Sequence, residues 1–188
     1  MRSIVQAPYY WWRGELSDSL CDAIIEEAGH FELKEAGIGG KNEKDLSYRQ
    51  GLVSWVPQDH WIEQIVRNYV IKANSYAKWN FILNDREKVQ FGTYGEGAYY
   101  KWHRDCNIQD VKYRKLSVTV QLSDPKDYEG GEFQIKDFWN HHVLPAEEGW
   151  NERGTVVVFP SILMHQVTEV TKGTRYSLVQ WYDGPDWV

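Results

Sequence analysis

Apolar positions along the chain follow two rhythms, and the change between them comes near residue 87. Before it, apolar residues recur at helical spacing. Ser17-Asp18 supplies an N-cap, Leu20, Ile24 and Ala28 follow a turn apart, and Gly29 ends the segment. Asp59 caps a longer helix in which Ile62, Ile65, Val66, Tyr69, Val70 and Ala73 keep one apolar stripe to about Ala77. That stripe is core packing against a sheet and carries no chemistry. Short strands are predicted at Tyr9-Tyr10-Trp11-Trp12 and around 50–56. From Lys88 onward the period shortens to two. Lys115-Leu116-Ser117-Val118-Thr119-Val120-Gln121-Leu122 alternates polar with apolar, so one face of that strand is polar. A polar inward face suits a barrel that encloses a polar ligand. Gly130-Gly131 supplies a turn, 133–135 and 143–145 short strands, and 155–159 and 174–182 longer ones. The count fits an eight-stranded jelly roll. The expected fold is mainly β with N-terminal helices (α+β), a jelly-roll barrel packed against two helices.

Length changes this picture little. The 188 residues read as a single domain, 1–188, with 1–87 a helical and strand support region and 88–184 the jelly-roll core. No internal repeat, low-complexity tract or linker divides it. A 42% hydrophobic and 26% charged composition is ordinary for a soluble globular protein. Ten Trp and twelve Tyr are many, and suit either a rigid β core or a binding cleft. The net charge of -6 argues against broad contact with nucleic-acid phosphates, though it leaves room for a local basic patch. The N-terminus has no apolar run of signal-peptide length, and no stretch approaches the roughly 20 apolar residues of a membrane span. Cys21 falls on a helix face and Cys106 stands apart from it, so a reducing, cytoplasmic setting is the simplest reading. Residues 36–48 hold Gly37, Gly39 and Gly40 amid charges. They are either a solvated connection or a lid over a substrate.

The chemistry concentrates in Tyr99-Tyr100-Lys101-Trp102-His103-Arg104-Asp105. Side chains alternate along a strand, so His103 and Asp105 share a face and set an imidazole beside a carboxylate. Two ligands do not hold a catalytic metal. The candidate third is His165, after the apolar run Thr155-Val156-Val157-Val158-Phe159-Pro160. Two His and one carboxylate on one side of a metal leave the opposite side open, as in non-haem Fe(II) oxygenases. Ten residues on, Arg175 could grip a co-substrate carboxylate in a bidentate fork. Alone, His-x-Asp is a common surface pattern and His165 an ordinary core histidine; the conjunction makes the signal.

These segments resemble the 2-oxoglutarate- and Fe(II)-dependent dioxygenases, in particular the prolyl 4-hydroxylase-like branch and its PKHD-type relatives. The resemblance covers about 88–184. Tyr94-Gly95-Glu96-Gly97-Ala98-Tyr99-Tyr100 leading into His103 and Asp105 matches the family's tyrosine and glycine-rich turn. Tyr128-Glu129-Gly130-Gly131-Glu132 matches its Gly-Gly-Glu turn, and Phe159-Pro160-Ser161 with His165 and Lys172-Gly173-Thr174-Arg175 its distal His and Arg. The resemblance implies a double-stranded β-helix in which His103, Asp105 and His165 bind iron. It implies that Arg175 binds the far carboxylate of 2-oxoglutarate, that Tyr94 hydrogen-bonds the co-substrate, and that Trp181 lies near the metal. Trp181 also shares strand parity with Arg175. Fe(II), 2-oxoglutarate and O2 are the implied cofactors, with ascorbate a candidate reductant. An intact Asp105 points to hydroxylation rather than halogenation. Animal and plant prolyl hydroxylases carry Lys in place of Arg175, which favours the PKHD-type side; they also carry Thr where this chain has Phe133.

Other residues keep two readings. His141-His142 sits in an aromatic loop, and adjacent strand side chains point apart, which makes them poor co-ligands; a loop contact or a substrate-facing role fits. His30 and His60 lie at helix ends and read as structural. Arg49, Arg104 and Arg114 either line an anionic substrate path or are solvated surface groups. The expected activity is hydroxylation of an unactivated C–H bond, first of a prolyl residue in a peptide or protein. The alternatives are hydroxylation of a small amino acid or metabolite, and a non-catalytic jelly-roll binding module. Nucleic acid and membrane are not expected partners, and the oligomeric state is open.

Overall fold

The two apolar stripes become two helices. The computed structural model describes residues 7–36, 47–106, 113–139, 141–145 and 147–185. In α1 (Asp18–Ala28) Ser17 is the N-cap, its Oγ accepting from the Leu20 N–H, and the stripe Cys21, Ile24 and Ala28 is buried. In α2 (Trp61–Tyr76) Ile62, Val66, Val70 and Ala73 are buried. The N-cap of α2 is His60, not the expected Asp59. Its Nδ1 accepts from the Ile62 N–H at 3.4 Å. Asp59 stands one residue earlier with φ 61°, and its carboxylate is taken by Arg86 at 2.9 Å, so it cannot cap.

The strands are β1 (Tyr10–Trp12), β2 (Lys34–Glu35), β3 (Arg49–Gln50), β4 (Leu52–Trp55), β5 (Asp85–Arg86), β6 (Gln90–Tyr94), β7 (Tyr99–His103), β8 (Arg114–Gln121), β9 (Tyr128–Gly130), β10 (Phe133–Ile135), β11 (Val156–Pro160), β12 (His165–Val167), β13 (Val170–Gly173) and β14 (Arg175–Asp183). Among the described residues they form a large antiparallel sheet ordered β1-β11-β8-β14-β6-β4-β2, with β5 also on β14. A smaller sheet runs β10-β12-β7-β3, and β13 pairs β9. The architecture is mainly β with two helices, as expected. The strand count exceeds eight: the N-terminal segment adds β1, β2 and β4 to the large sheet and β3 to the small one, β5 adds to β14, and β9 and β13 pair apart from both sheets.

Both helices cover the outer face of the large sheet. Ile24, Ile62, Val66 and Val70 pack with Leu116, Val118, Val120, Val156, Val158 and Leu178 in one buried cluster. The alternation expected in β8 is therefore real, yet both of its faces are buried: Lys115, Ser117, Thr119 and Gln121 are as inaccessible as the residues between them. The polar set faces inward, between the sheets.

Two expected strands differ. The segment around 50–56 is two strands: β3 pairs β7 of the small sheet, and after Gly51 the chain crosses to pair β6 of the large one. This crossing closes one edge between the sheets. The strand expected at 143–145 shrinks to a single bridge between Lys136 and Val143. Pro145 has no N–H to extend a ladder. The 36–48 loop lies almost wholly outside the described residues. No helix among the described residues is long and apolar enough to cross a membrane.

Candidate metal centre

β7 ends on His103, and β12 begins on His165 directly opposite it in the antiparallel register. Asp105 follows β7 in a bend rather than in the strand. Its position comes from backbone bonds instead: the N–H groups of Asp105 and Cys106 both donate to the Ser161 carbonyl, at 3.0 and 3.1 Å. The three side chains converge. One ligand atom from each of His103, Asp105 and His165 lies within 4.8 Å of the others. His103 Nε2 is 3.6 Å from Asp105 Oδ1, and His165 Nε2 is 3.3 Å from Oδ2.

The imidazoles are aimed by their other nitrogens. His103 Nδ1 is 2.7 Å from the Lys101 carbonyl, and His165 Nδ1 is 2.9 Å from the Leu163 carbonyl. Carbonyls only accept, so each Nδ1 carries the proton and each Nε2 presents a lone pair to the centre. Asp105 Oδ2 accepts from Ser117 Oγ at 2.7 Å, and Ser117 Oγ is 2.9 Å from Ser161 Oγ. Two imidazoles and one carboxylate, their side chains 7%, 7% and 5% exposed, are a donor set for one divalent cation.

The electrostatics agree. Burial, with His165 close by, pushes the His103 imidazolium pKa down to about 3. Burial alone would raise the Asp105 carboxyl, but His165, His103 and Arg114 hold it well below the usual carboxylate range. Both groups are thus in their ligating form at neutral pH. Between the ordinary 6.5 and about 3, the unfolded chain binds a proton on this His that the folded protein refuses. The metal-free protein should therefore melt at progressively lower temperature as pH falls across that window. Thermal melts in steps of pH check this, and a midpoint that rises towards acid would contradict it.

Arg175 opens β14 opposite Tyr94 of β6, with its Cζ 5.6 Å from the Tyr94 ring centroid. Only 3% exposed, it meets neutral partners: Nη1 donates to Ser177 Oγ at 3.3 Å, and the Tyr128 hydroxyl faces it. No carboxylate among the described residues pairs with it. A buried guanidinium that meets only neutral groups is built for an anion from outside. The Gly-Gly-Glu turn roofs this site. Gly131 has φ 62°, and a Cβ there would lie 2.9 Å from Val170 Cγ2 and 3.0 Å from Arg175 Cδ. Gly92 makes room for Tyr94 similarly, since its Cβ would come within 3.1 Å of the Tyr94 ring.

Arg175, Ser177, Val179 and Trp181 all line one cleft with the two His and Asp105, so strand parity holds as far as Trp181. The bulge on β14 falls later, between Tyr182 and Asp183. Trp181 Nε1 is buried with no hydrogen-bond partner among the described residues, a donor left for an acceptor from outside them.

The cleft also holds Tyr100, which the sequence does not single out for it, and Arg49, for which lining a substrate path is one of two sequence readings. Tyr100 stacks on His103 with ring centroids 3.5 Å apart. Strict alternation would put these two on opposite faces. A register shift against β12 turns both inward. Arg49, 6% exposed, lies with Cζ 4.4 Å from the Tyr100 ring and donates to Gln90 Oε1 at 2.7 Å. Arg114 forks onto Glu87 and is not a solvated group either, whereas Arg104 is exposed. His141 and His142 are exposed and outside the metal cluster, and His60 is structural, capping α2 and bonding Glu27 at 3.1 Å.

Known proteins resemble this chain in sequence and in fold. The sequence profile of the 2OG-Fe(II) oxygenase superfamily matches residues 89–183. A PKHD-type hydroxylase of Idiomarina loihiensis is 27% identical over 158 residues, covering 82% of this chain and 67% of that protein. One of Picosynechococcus is 32% identical over 140 residues, covering 73% of this chain and 60% of that protein. A PKHD-type hydroxylase of Parvibaculum lavamentivorans is matched over about half of its length, 49%. In fold, the chain resembles a Pseudomonas putida prolyl-4-hydroxylase with TM-score 0.73 at 20% identity, covering 95% of this chain and 94% of that one. It also resembles a Trichoplax adhaerens prolyl hydroxylase in complex with a hypoxia-inducible-factor peptide fragment, with TM-score 0.75 at 17% identity, covering 94% and 83%. The match spans His103, His165, Asp105, Arg175 and the strands that carry them, and so the chain belongs to the 2OG-Fe(II) oxygenase superfamily.

Proposed function

We propose that this chain is a 2-oxoglutarate-dependent hydroxylase that inserts oxygen into an unactivated C–H bond of a prolyl residue in a peptide or protein. One observation carries the reading: the His103, Asp105 and His165 donor set opens on the same cleft as a buried Arg175 that meets no carboxylate of the described chain. In this reading His103 and His165 hold Fe(II) through Nε2 and Asp105 through its carboxylate. When bound, iron and 2-oxoglutarate supply O2 activation and oxidative decarboxylation to succinate and CO2. The chain's own contribution is placement. Arg175 grips the distal carboxylate in a fork, Tyr94 and Trp181 Nε1 offer donors beside it, and Phe133, Phe159 and Val167 keep the cleft dry. The two buried free cysteines are compatible with a reducing compartment.

A prolyl substrate is supported by the aromatic wall of Tyr100, Phe133 and Trp181, with Trp55 against Trp181 at 6.3 Å between centroids. The peptide held by the Trichoplax neighbour supports it too. A small acidic metabolite is the second reading. It is favoured by Arg49, a second buried guanidinium in the same cleft. Succinate formation by the Fe(II)-loaded protein, with and without a proline-rich peptide, separates the two. The expected result is strong stimulation by peptide, with one added oxygen on proline. Slow turnover that no peptide stimulates would move the substrate to small molecules. No metal binding and no turnover would overturn the enzyme reading.

A further inference from the structure

Asp105 is the centre's exposed flank in a mechanical sense: β7 has ended at His103, and no ladder holds the bend that follows. Its carbonyl is met by one side chain, Arg114 Nη1, at 3.3 Å. The rest of that guanidinium is committed. Nε and Nη2 fork onto the two carboxylate oxygens of Glu87 at 2.6 and 2.9 Å, and Cζ lies 4.0 Å from the centroid of the Trp181 ring. Glu87 is in turn tied to the strand that carries Trp181. Its N–H donates to the Trp181 carbonyl at 3.0 Å, and its carbonyl accepts from Gln180 Nε2 at 2.8 Å. The contacts close a loop: Glu87 to Trp181 by backbone, Glu87 to Arg114 by an ion pair, Arg114 to Trp181 by its face and to Asp105 by one N–H.

We infer that Glu87 and Arg114 are positioning residues, an ion-paired clamp that fixes the Asp105 bend and the Trp181 indole relative to each other across the cleft. The inference rests on the metal-centre reading above. Each part needs its own chemistry. A planar guanidinium has donors to spare after a bidentate pair and a face for the indole, which an ammonium lacks. The carboxylate of Glu87 fixes the rotation of that plane. With the fork lost, the Nη1 bond loses the partner that fixes its direction, and the metal carboxylate is held only by its Ser117 bond and the backbone bonds to Ser161, although none of its own atoms has been changed. Outer partners that orient a ligand in this way are worth about 10- to 100-fold in metal affinity.

The test uses the full chain and Co(II) as the probe, followed by calorimetry and by its visible absorption, which reports coordination geometry. Glu87→Gln keeps the shape of the side chain and removes the charge. Arg114→Lys keeps the charge and removes the fork and the face. Both are expected to bind Co(II) at least about tenfold more weakly with an altered spectrum, at temperatures well below their melting points. The 2-oxoglutarate KM, measured at saturating iron, should move far less than metal affinity. A purely structural pair would lower the melting point and leave Co(II) affinity and spectrum as in the wild type, and that result overturns the clamp. Should one variant fail to fold, the other decides by the same criterion. A wild-type protein that binds no ion overturns the centre itself. A wild type that binds one ion, beside variants that bind it as tightly, overturns the clamp alone.

Discussion

Asp105→Ala should leave the protein folded and remove both its metal and its activity. The carboxylate is the one anionic donor of the set, lying between two neutral imidazoles. Without it a divalent cation would sit in a buried site with no compensating charge, a cost that two His lone pairs do not offset. Loss of an outer partner costs about 10- to 100-fold, so loss of the ligand itself should weaken metal binding by roughly 10³-fold or more. Folding has less to lose. Ser117 Oγ keeps Ser161 Oγ as a partner, and the Asp105 N–H keeps the Ser161 carbonyl. His165→Ala should abolish turnover as well, but at a greater cost in stability. That ring packs against Phe159, with centroids 4.8 Å apart, and its removal opens a void. Calorimetric titration of each variant, together with succinate formation, reads these outcomes. An Asp105→Ala protein that still binds one ion and turns over would remove Asp105 from the centre.

Much of this centre is legible in the sequence because its parts are local. His103 and Asp105 are two residues apart, the Arg175 to Trp181 parity spans one uninterrupted strand, and Gly92 sits beside the Tyr94 it makes room for. The fold class is equally local. Two helical stripes followed by period-two segments leave few architectures. What stays hidden depends on pairing between distant segments. The inward turn of Tyr100 cannot be read from β7 alone, because the shift that produces it is a property of β7 against β12. Arg49 keeps two readings, substrate path or surface, because nothing near it announces that the chain crosses between sheets at Gly51. Arg114 finds Glu87, 27 positions away, only once β14 has brought them together. Asp59 has the right residue type and the right place for a cap, and loses the role to His60 because Arg86 claims its carboxylate. Ser117 lies between the two cases. Alternation in β8 assigns it correctly to the polar inner face, but only the bend after His103 shows that it meets Asp105.

Arg175→Ala should separate co-substrate binding from everything else. In the protein without ligands, this guanidinium is buried against Ser177, Tyr128 and the face of Tyr94, with none of the described carboxylates to neutralise it. Such a charge costs stability until an anion arrives. Removing it should therefore leave the melting point of the ligand-free protein unchanged or raised, which is unusual for truncation of a 3% exposed side chain. The penalty should appear on binding instead. Breaking a buried, forked pair costs about 3–5 kcal/mol, or roughly 10²- to several-thousand-fold in the 2-oxoglutarate requirement, at about 1.4 kcal/mol per tenfold. Arg175→Lys restores charge without the fork and should recover only part of that loss. The affinity for metal, whose ligands Arg175 does not touch, should stay near the wild-type value. Two measurements check this together: the KM for 2-oxoglutarate, and the rise in melting point that added 2-oxoglutarate gives in the presence of metal, which should be large for the wild type and small for Arg175→Ala. An unchanged KM would take the carboxylate grip away from Arg175. A co-substrate shift in melting point that survives in the variant would leave binding to the metal and its neighbours alone.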